Sequence, residues 1–138
     1  MRQPDIDSTA TAEMLVTESE LASTLRFDTA DEYPAVYATS RMIALMEVAA
    51  SRVLRPHLEG DELSVGVAVD VLHTAATLPG AVVTATARLI GQEGKSFVFE
   101  VRANDEAGEI GRGSHKRAVV STSRLLAGAA KRASTRKG

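Results

Sequence analysis

The sequence contains no cysteine, which excludes disulfides and thiolate metal sites. Its histidines, His57, His73 and His115, show no metal-ligand spacing, so no metal is expected. No apolar run approaches the roughly 18 residues of a membrane span. The opening stretch "MRQPDIDSTA" carries acids where a secretion signal needs an apolar region. Aromatic residues are only 4%, and none interleaves with the basic residues to give nucleic acid a stacking surface. Phosphate-loop and dinucleotide glycine patterns are missing too, so no cofactor is expected. These absences leave a cytoplasmic single-domain protein of 138 residues, expected to engage neither membrane nor nucleic acid.

Acidic residues are lacking from one end. Residues 1–109 hold all 18 acids and 8 bases, which gives −10, whereas residues 110–138 hold 8 bases and no acid, which gives +8. The last stretch, "AGAAKRASTRKG", reads as a solvated, frayed basic tail. Arg112, Lys116, Arg117 and Arg124 lie in or beside an expected strand, where they suit an anionic ligand.

Periodicity divides the rest. Residues 1–12 read as disordered, 13–122 as the folded domain and 123–138 as the tail. "AEMLVTESELASTL" reads as one strand or two short ones. A helix is expected from about Thr39 to Arg55, with Thr39 or Ser40 as N-cap and Pro56 as the stop. It is apolar nearly all round, which marks a buried helix. Period-two alternation then sets Val65, Val67, Val69 and Val71 on one face, opposite Ser64, Gly66, Ala68 and Asp70. Three further runs follow, two joined by Gly-containing turns, "GQEG" and "DEAG". The expected order is strand, buried helix, then four strands as an antiparallel meander, an α+β domain with about five strands curled round one helix.

One acid stands where water should be scarce. In "MIALMEVAA", eight of nine residues are apolar and the ninth is Glu47. No Lys or Arg lies three or four residues away, and burial without a partner raises a carboxyl pKa. Glu47 therefore reads as a functional carboxylate, with an interface or backbone contact as the plainer alternative. Thr39 lies eight residues earlier, about 80° round the helix beyond two turns. It reads as a capping hydroxyl, at a helix end that also favours anions. His73 keeps the phase of the valines and so points to the apolar side, as a core histidine or as a base. Glu, His and Thr converging on one apolar pocket would form an acid–base and nucleophile set. Arg117 shares its strand face with His115, Gly111 and Gly113, where the backbone is bare. His57, after Pro56, reads as a solvated loop residue.

Taken together, "YATS" with "LMEVAA", then "HTAATLPG", then "EIGRGSHKRAV" resemble the fluoroacetyl-CoA thioesterase-like family of hot-dog-fold acyl-CoA thioesterases. The resemblance spans roughly Tyr33 to Val120. It implies the hot-dog fold, an acyl-CoA substrate and a homodimer with sites near the subunit interface. By position, it implies catalytic roles for Thr39, Glu47 and His73. Gly66 falls on the family's active-site glycine and Arg117 on its arginine; Arg117, with Lys116 and Arg112 nearby, would orient the site or meet the phosphates of coenzyme A. Of the two aromatics the resembled enzyme carries ahead of the helix, Tyr33 matches one and Ala30 stands in place of the other. Ser40 replaces the glycine that follows the family's threonine. Both departures lie where a short acyl group would be enclosed. A non-catalytic acyl-CoA-binding module and a hot-dog hydratase or dehydratase are the alternatives.

Overall fold

The computed structural model describes residues 1–135. Seven elements follow one another: β1 (Thr9–Leu15), α1 (Thr39–Leu54), β2 (Glu62–His73), β3 (Val82–Glu93), β4 (Ser96–Asp105), β5 (Gly108–Ser121) and α2 (Thr122–Ser134). Short 3-10 turns lie at Glu18–Glu20, Ala22–Thr24 and Arg55–His57. The five strands form one antiparallel sheet in the order β1-β3-β4-β5-β2.

Only β3, β4 and β5 form the expected meander. β2 pairs with β5, while β3 takes β1 on its other side. The segment between β2 and β3 is no hairpin turn, because it is fastened elsewhere. Thr77 is buried, its hydroxyl donates to Asp105 at 2.8 Å, and its carbonyl accepts from the Tyr37 N–H at 2.9 Å.

α1 lies against the sheet through Met42, Leu45, Met46, Ala49, Ala50, Val53 and Leu54. It meets Val83, Ala85, Ala87 and Leu89 of β3 and Phe97, Phe99, Val101 and Ala103 of β4. Alanines on both surfaces let helix and sheet approach closely, and each large side chain buried here stabilises by about 1.5–3 kcal/mol. The helix is not buried all round, however. Arg41, Ala44, Val48 and Arg55 form an exposed stripe.

Three expectations about local order are corrected. Residues 1–12 are not disordered: Arg2 donates to the His57 and Pro56 carbonyls at 2.9 and 2.7 Å, Asp7 N–H to Leu89 at 2.8 Å, and β1 begins at Thr9. The tail is helical as far as Ser134. Ser121 caps it by accepting from the Arg124 N–H at 3.3 Å, and Asp61 accepts from Ser121 and Ser123. Residues 136–138 lie outside the described residues. Neither Thr39 nor Ser40 is the N-cap of α1; Ala38 holds that position, leaving the Thr39 hydroxyl free for another partner.

A β-bulge decides what β2 presents. The β2–β5 register slips between Gly66 and Ala68, so Val67 has no opposite residue. Gly66 pairs with Arg117, Val69 with His115, Val71 with Gly113 and His73 with Gly111. Directly paired residues share a face. Gly66 therefore faces α1, contrary to the simple alternation, while His73 faces it as expected. Val65 and Val67 turn away, and Val67 is 55% exposed.

Candidate active site

Glu47 reaches the sheet from the middle of α1, and its partner comes from seventy residues away. Arg117 Nη1 donates to Glu47 Oε1 at 3.3 Å. The partnerless carboxylate expected from helical neighbours is thus a paired one, half-exposed beside a guanidinium that is 7% exposed. The rest of Arg117 is committed as well. Nε donates to Ser64 Oγ and Nη2 to the Ser64 carbonyl, each at 3.0 Å. Burial lowers the Arg117 pKa, and the Glu47 carboxylate opposes that shift. Gly66 lies directly under this pair, where a Cβ would collide with the Glu47 carboxylate.

The residue that sequence reasoning passed over is His115. It is 1% exposed, with Nδ1 2.8 Å from the Ala68 carbonyl, Nε2 3.2 Å from Arg117 Nη1 and 4.0 Å from Glu47 Oε1. Burial lowers its pKa, and Arg117 lowers it further, against the Ala68 carbonyl and Glu47. Its position on the Arg117 face was the one available signal.

Thr39 and His73 form a second group at the start of α1 and the end of β2. Thr39 Oγ1 and His73 Nδ1 are 2.7 Å apart, nucleophile–base distance. Thr39 is exposed, whereas His73 is half-buried and burial lowers its pKa. His73 Nε2 is buried and, among the described residues, has no partner. The pair opens on a cavity of about 380 Å³ lined also by Tyr33, Pro34, Val36, Tyr37 and Ala75. Tyr37 is buried beneath it, its hydroxyl directed at Met14 Sδ at 3.2 Å and its pKa pushed up to about 12 by burial. A neighbouring cavity of about 460 Å³ shares Tyr33 and Thr39 and adds Leu25 and Phe27.

Within one chain the expected convergence of Thr39, His73 and Glu47 does not occur. Eight helical residues separate Thr39 from Glu47, about 12 Å along the axis, and no hydrogen bond or ion pair among the described residues joins the two groups. Lys116 and Arg112 alternate with Arg117 and so lie on the opposite sheet face. There Lys116 pairs with Glu93 at 2.7 Å and Arg112 with Glu109 at 3.4 Å. Ala30 lies in an exposed turn, its N–H bonded to Asp28 Oδ1 at 2.8 Å, while Tyr33 borders both cavities. Phe27, three residues before Ala30, is 96% exposed beside them. His57 is not a solvated loop residue: it lies in a 3-10 turn beneath the N-terminal segment, with Nδ1 buried. No cluster of three metal-ligating side chains occurs among the described residues.

Five antiparallel strands wrapped round a helix define a hot-dog domain, with a carboxylate, an imidazole and a hydroxyl between helix and sheet. Residues 16–123 match the family described as fluoroacetyl-CoA-specific thioesterase, and the chain belongs to that family. It is 49% identical over 89 residues to the fluoroacetyl-CoA thioesterase of Streptantibioticus cattleyicolor. That match spans 64% of this chain and 64% of the relative, just under two thirds of its length. A solved structure of the fluoroacetyl-CoA thioesterase superposes with a TM-score of 0.87 at 37% identity, covering 94% of this chain and 97% of that one. A mutant solved with fluoroacetate and CoA gives 0.82 at 38% identity, covering 88% and 98%. A thioesterase-superfamily protein from Thermus thermophilus gives 0.83 at 31%, covering 92% and 91%.

Proposed function

We propose that this protein is a cytoplasmic acyl-CoA thioesterase, hydrolysing a short or small polar, fluoroacetyl-CoA-like thioester, and that it works as a homodimer. The observation that carries the reading is the 2.7 Å Thr39–His73 pair opening on a cavity beside an exposed turn. Among the described residues, no helix is long and apolar enough to cross a membrane.

The free edge of β2 favours the dimer. It is 12 residues long and exposes Leu63, Val67, Val69 and Leu72, and a long apolar edge is a template for pairing with another strand. Gly66 lies along this edge strand and His73 ends it, so a second copy docked there would bring the Glu47 group of one chain towards the Thr39–His73 pair of the other. The single chain holds two half-sites.

In that assembly, the Glu47 carboxylate activates water or attacks the thioester carbonyl itself. Arg117 holds one carboxylate oxygen and leaves the other free. Thr39 orients the reacting oxygen, and backbone near Gly66, bare of a side chain, receives the acyl group or oxyanion. Neutral His73 takes the proton that water loses as it attacks the thioester, or the anhydride formed on Glu47. It passes that proton to the thiolate released when the C–S bond breaks, so the products are the free acid and CoA. Because Arg117 is committed to Glu47, the phosphates of coenzyme A would be met by Lys116 and Arg112 on the other sheet face, in exchange for Glu93 and Glu109.

Thiol release from a panel of fluoroacetyl-, acetyl-, propionyl- and longer acyl-CoA tests the function. Release on short acyl groups is expected. Tight binding without release would identify a binding module, and water addition to an enoyl-CoA without thiol release would identify a hydratase.

A further inference from the structure

His115 makes no contact with the cavity or with Thr39, yet it is among the most deeply buried polar side chains of the chain. Its two ring nitrogens meet groups of opposite character. The Ala68 carbonyl can only accept, so Nδ1 carries the proton. The Arg117 guanidinium can only donate, so Nε2 is the bare acceptor. Such an arrangement admits one state, the neutral Nδ1–H tautomer, because a second proton would set N–H against N–H.

Donor accounting shows what that state achieves. Arg117 has five N–H donors. Nε is taken by the Ser64 hydroxyl, one on Nη2 by the Ser64 carbonyl, one on Nη1 by Glu47, and the other on Nη1 by His115. The two Ser64 contacts hold the far side of the guanidinium, and among the described residues His115 alone joins Glu47 on Nη1. The Ala68 carbonyl that fixes the imidazole belongs to the residue just after the bulge. The same bulge puts Gly66 under the carboxylate, so one irregularity of β2 organises both sides of Glu47.

We propose that His115 is a positioning residue: locked neutral by the bulge carbonyl, it orients Arg117 so that one oxygen of Glu47 is held and the other stays directed at the substrate. This rests on the thioesterase reading, in which Glu47 is the reacting carboxylate. The charged groups facing the ring are Glu47 from α1 and Arg117 from β5. The neighbour from β4 is Phe99, and β2 presents no charge, only the Ala68 carbonyl and Val69 opposite. Protonation of His115 would therefore set a second cation against Arg117 and loosen its hold on Glu47.

Two near-isosteric variants separate the two ring nitrogens. In His115→Gln the side-chain amide reaches the Nε2 position and keeps an acceptor for Arg117. In His115→Asn it reaches only the Nδ1 position, keeping Ala68 and losing Arg117. The expected result is a kcat about tenfold or more lower for His115→Asn with KM little changed, and a kcat within about fivefold of wild type for His115→Gln. On the acid side, His115→Gln should also lose one proton from the slope of kcat/KM against pH, leaving the His73 ionisation. NMR of the guanidinium gives a readout independent of turnover. Separate, slowly rotating Nη signals of Arg117 are expected in wild type and His115→Gln, and averaged ones in His115→Asn. Equal kcat in the two variants, an unchanged acid slope, or Arg117 signals indifferent to residue 115 would each overturn the proposal. Should His115→Asn fail to fold, the slope and signals of His115→Gln still decide. A wild type without thiol release would sink the thioesterase reading instead, and the Arg117 signals would still test His115.

Discussion

The Thr39–His73 pair and the Glu47–Arg117 pair, the two halves of the proposed site, are built differently. Thr39 and His73 meet through one hydrogen bond at the rim of a cavity, with Thr39 exposed. Glu47 is seated among Arg117, Ser64, His115 and the bulge of β2. The first pair has room to adjust to a bound molecule. The second is over-determined, because a buried guanidinium needs a counter-charge and four of its five donors are taken. A base at a pocket mouth needs exposure, whereas a carboxylate with one working oxygen needs orientation.

The sharpest break in that contrast is Glu47→Gln, which keeps the shape and removes the charge. Turnover should fall about a hundredfold or more, roughly 2.7 kcal/mol of barrier. Stability should fall by about 1–3 kcal/mol, since Arg117 loses its counter-charge. A loss below about tenfold would make Glu47 a structural partner of Arg117 and nothing more.

Gly66→Ala should come next. Its Cβ pushes the Glu47 carboxylate aside, and a misplacement of about 1 Å at a reacting group can cost up to about a hundredfold. The half-exposed Glu47 side chain can swing away, so the melting temperature should change little while kcat/KM drops about tenfold or more. Equal loss of fold and activity would point to overpacking instead.

The glycine also shows where the sequence could be read and where it could not. Glu47 stands out because it interrupts an apolar helix, and His73 keeps an apolar phase, so both were legible. Arg117 as the partner of Glu47 was not, since their contact depends on how β5 lies across α1. The bulge was hidden because "SVGVAV" alternates as well as any regular strand. The pairing of β1 with β3 and of β2 with β5 was hidden for a similar reason, as adjacent strands in sequence default to hairpins. Residues 1–12 looked disordered by composition, but their order comes from backbone bonds to Leu89 and His57, which composition does not reveal.

A smaller effect distinguishes the half-sites by pH. Burial lowers the pKa of His73 below its ordinary 6.5, so the neutral base persists at pH 7. The acid limb of kcat/KM should lie below 6.5 and fall as pH drops through it. His115 is depressed too, so between its folded pKa and 6.5 the unfolded chain binds more protons. Its contribution to stability is present above about 6.5 and is lost as pH falls below that value. A His115→Gln chain should therefore lose less stability between pH 7 and 5 than wild type. An equal loss would take His115 out of the acid response.

The smallest effect concerns the exposed turn. Ala30→Phe places a ring near Tyr33 and Phe27, beside the cavity. It should narrow the acyl range by about 1–3 kcal/mol per methylene-sized difference, read as a steeper fall from acetyl- to longer acyl-CoA. A wild-type preference for fluoroacetyl- over acetyl-CoA of several thousandfold would show that the Glu47 half-site, not the turn, selects the acyl group.

Two chains complete each proposed site, and mixed dimers can show it. Thr39→Ala and Glu47→Gln chains, each nearly inactive alone, should regain activity when refolded together. Half of the random dimers are then mixed, and each mixed dimer holds one undamaged site, so recovery should approach about a quarter of wild type for a two-fold assembly. Recovery at that level would support a site shared between copies. Mixed dimers that form, as seen by mass, yet stay as inactive as their parents would contradict it and return Thr39, His73 and Glu47 to a single chain.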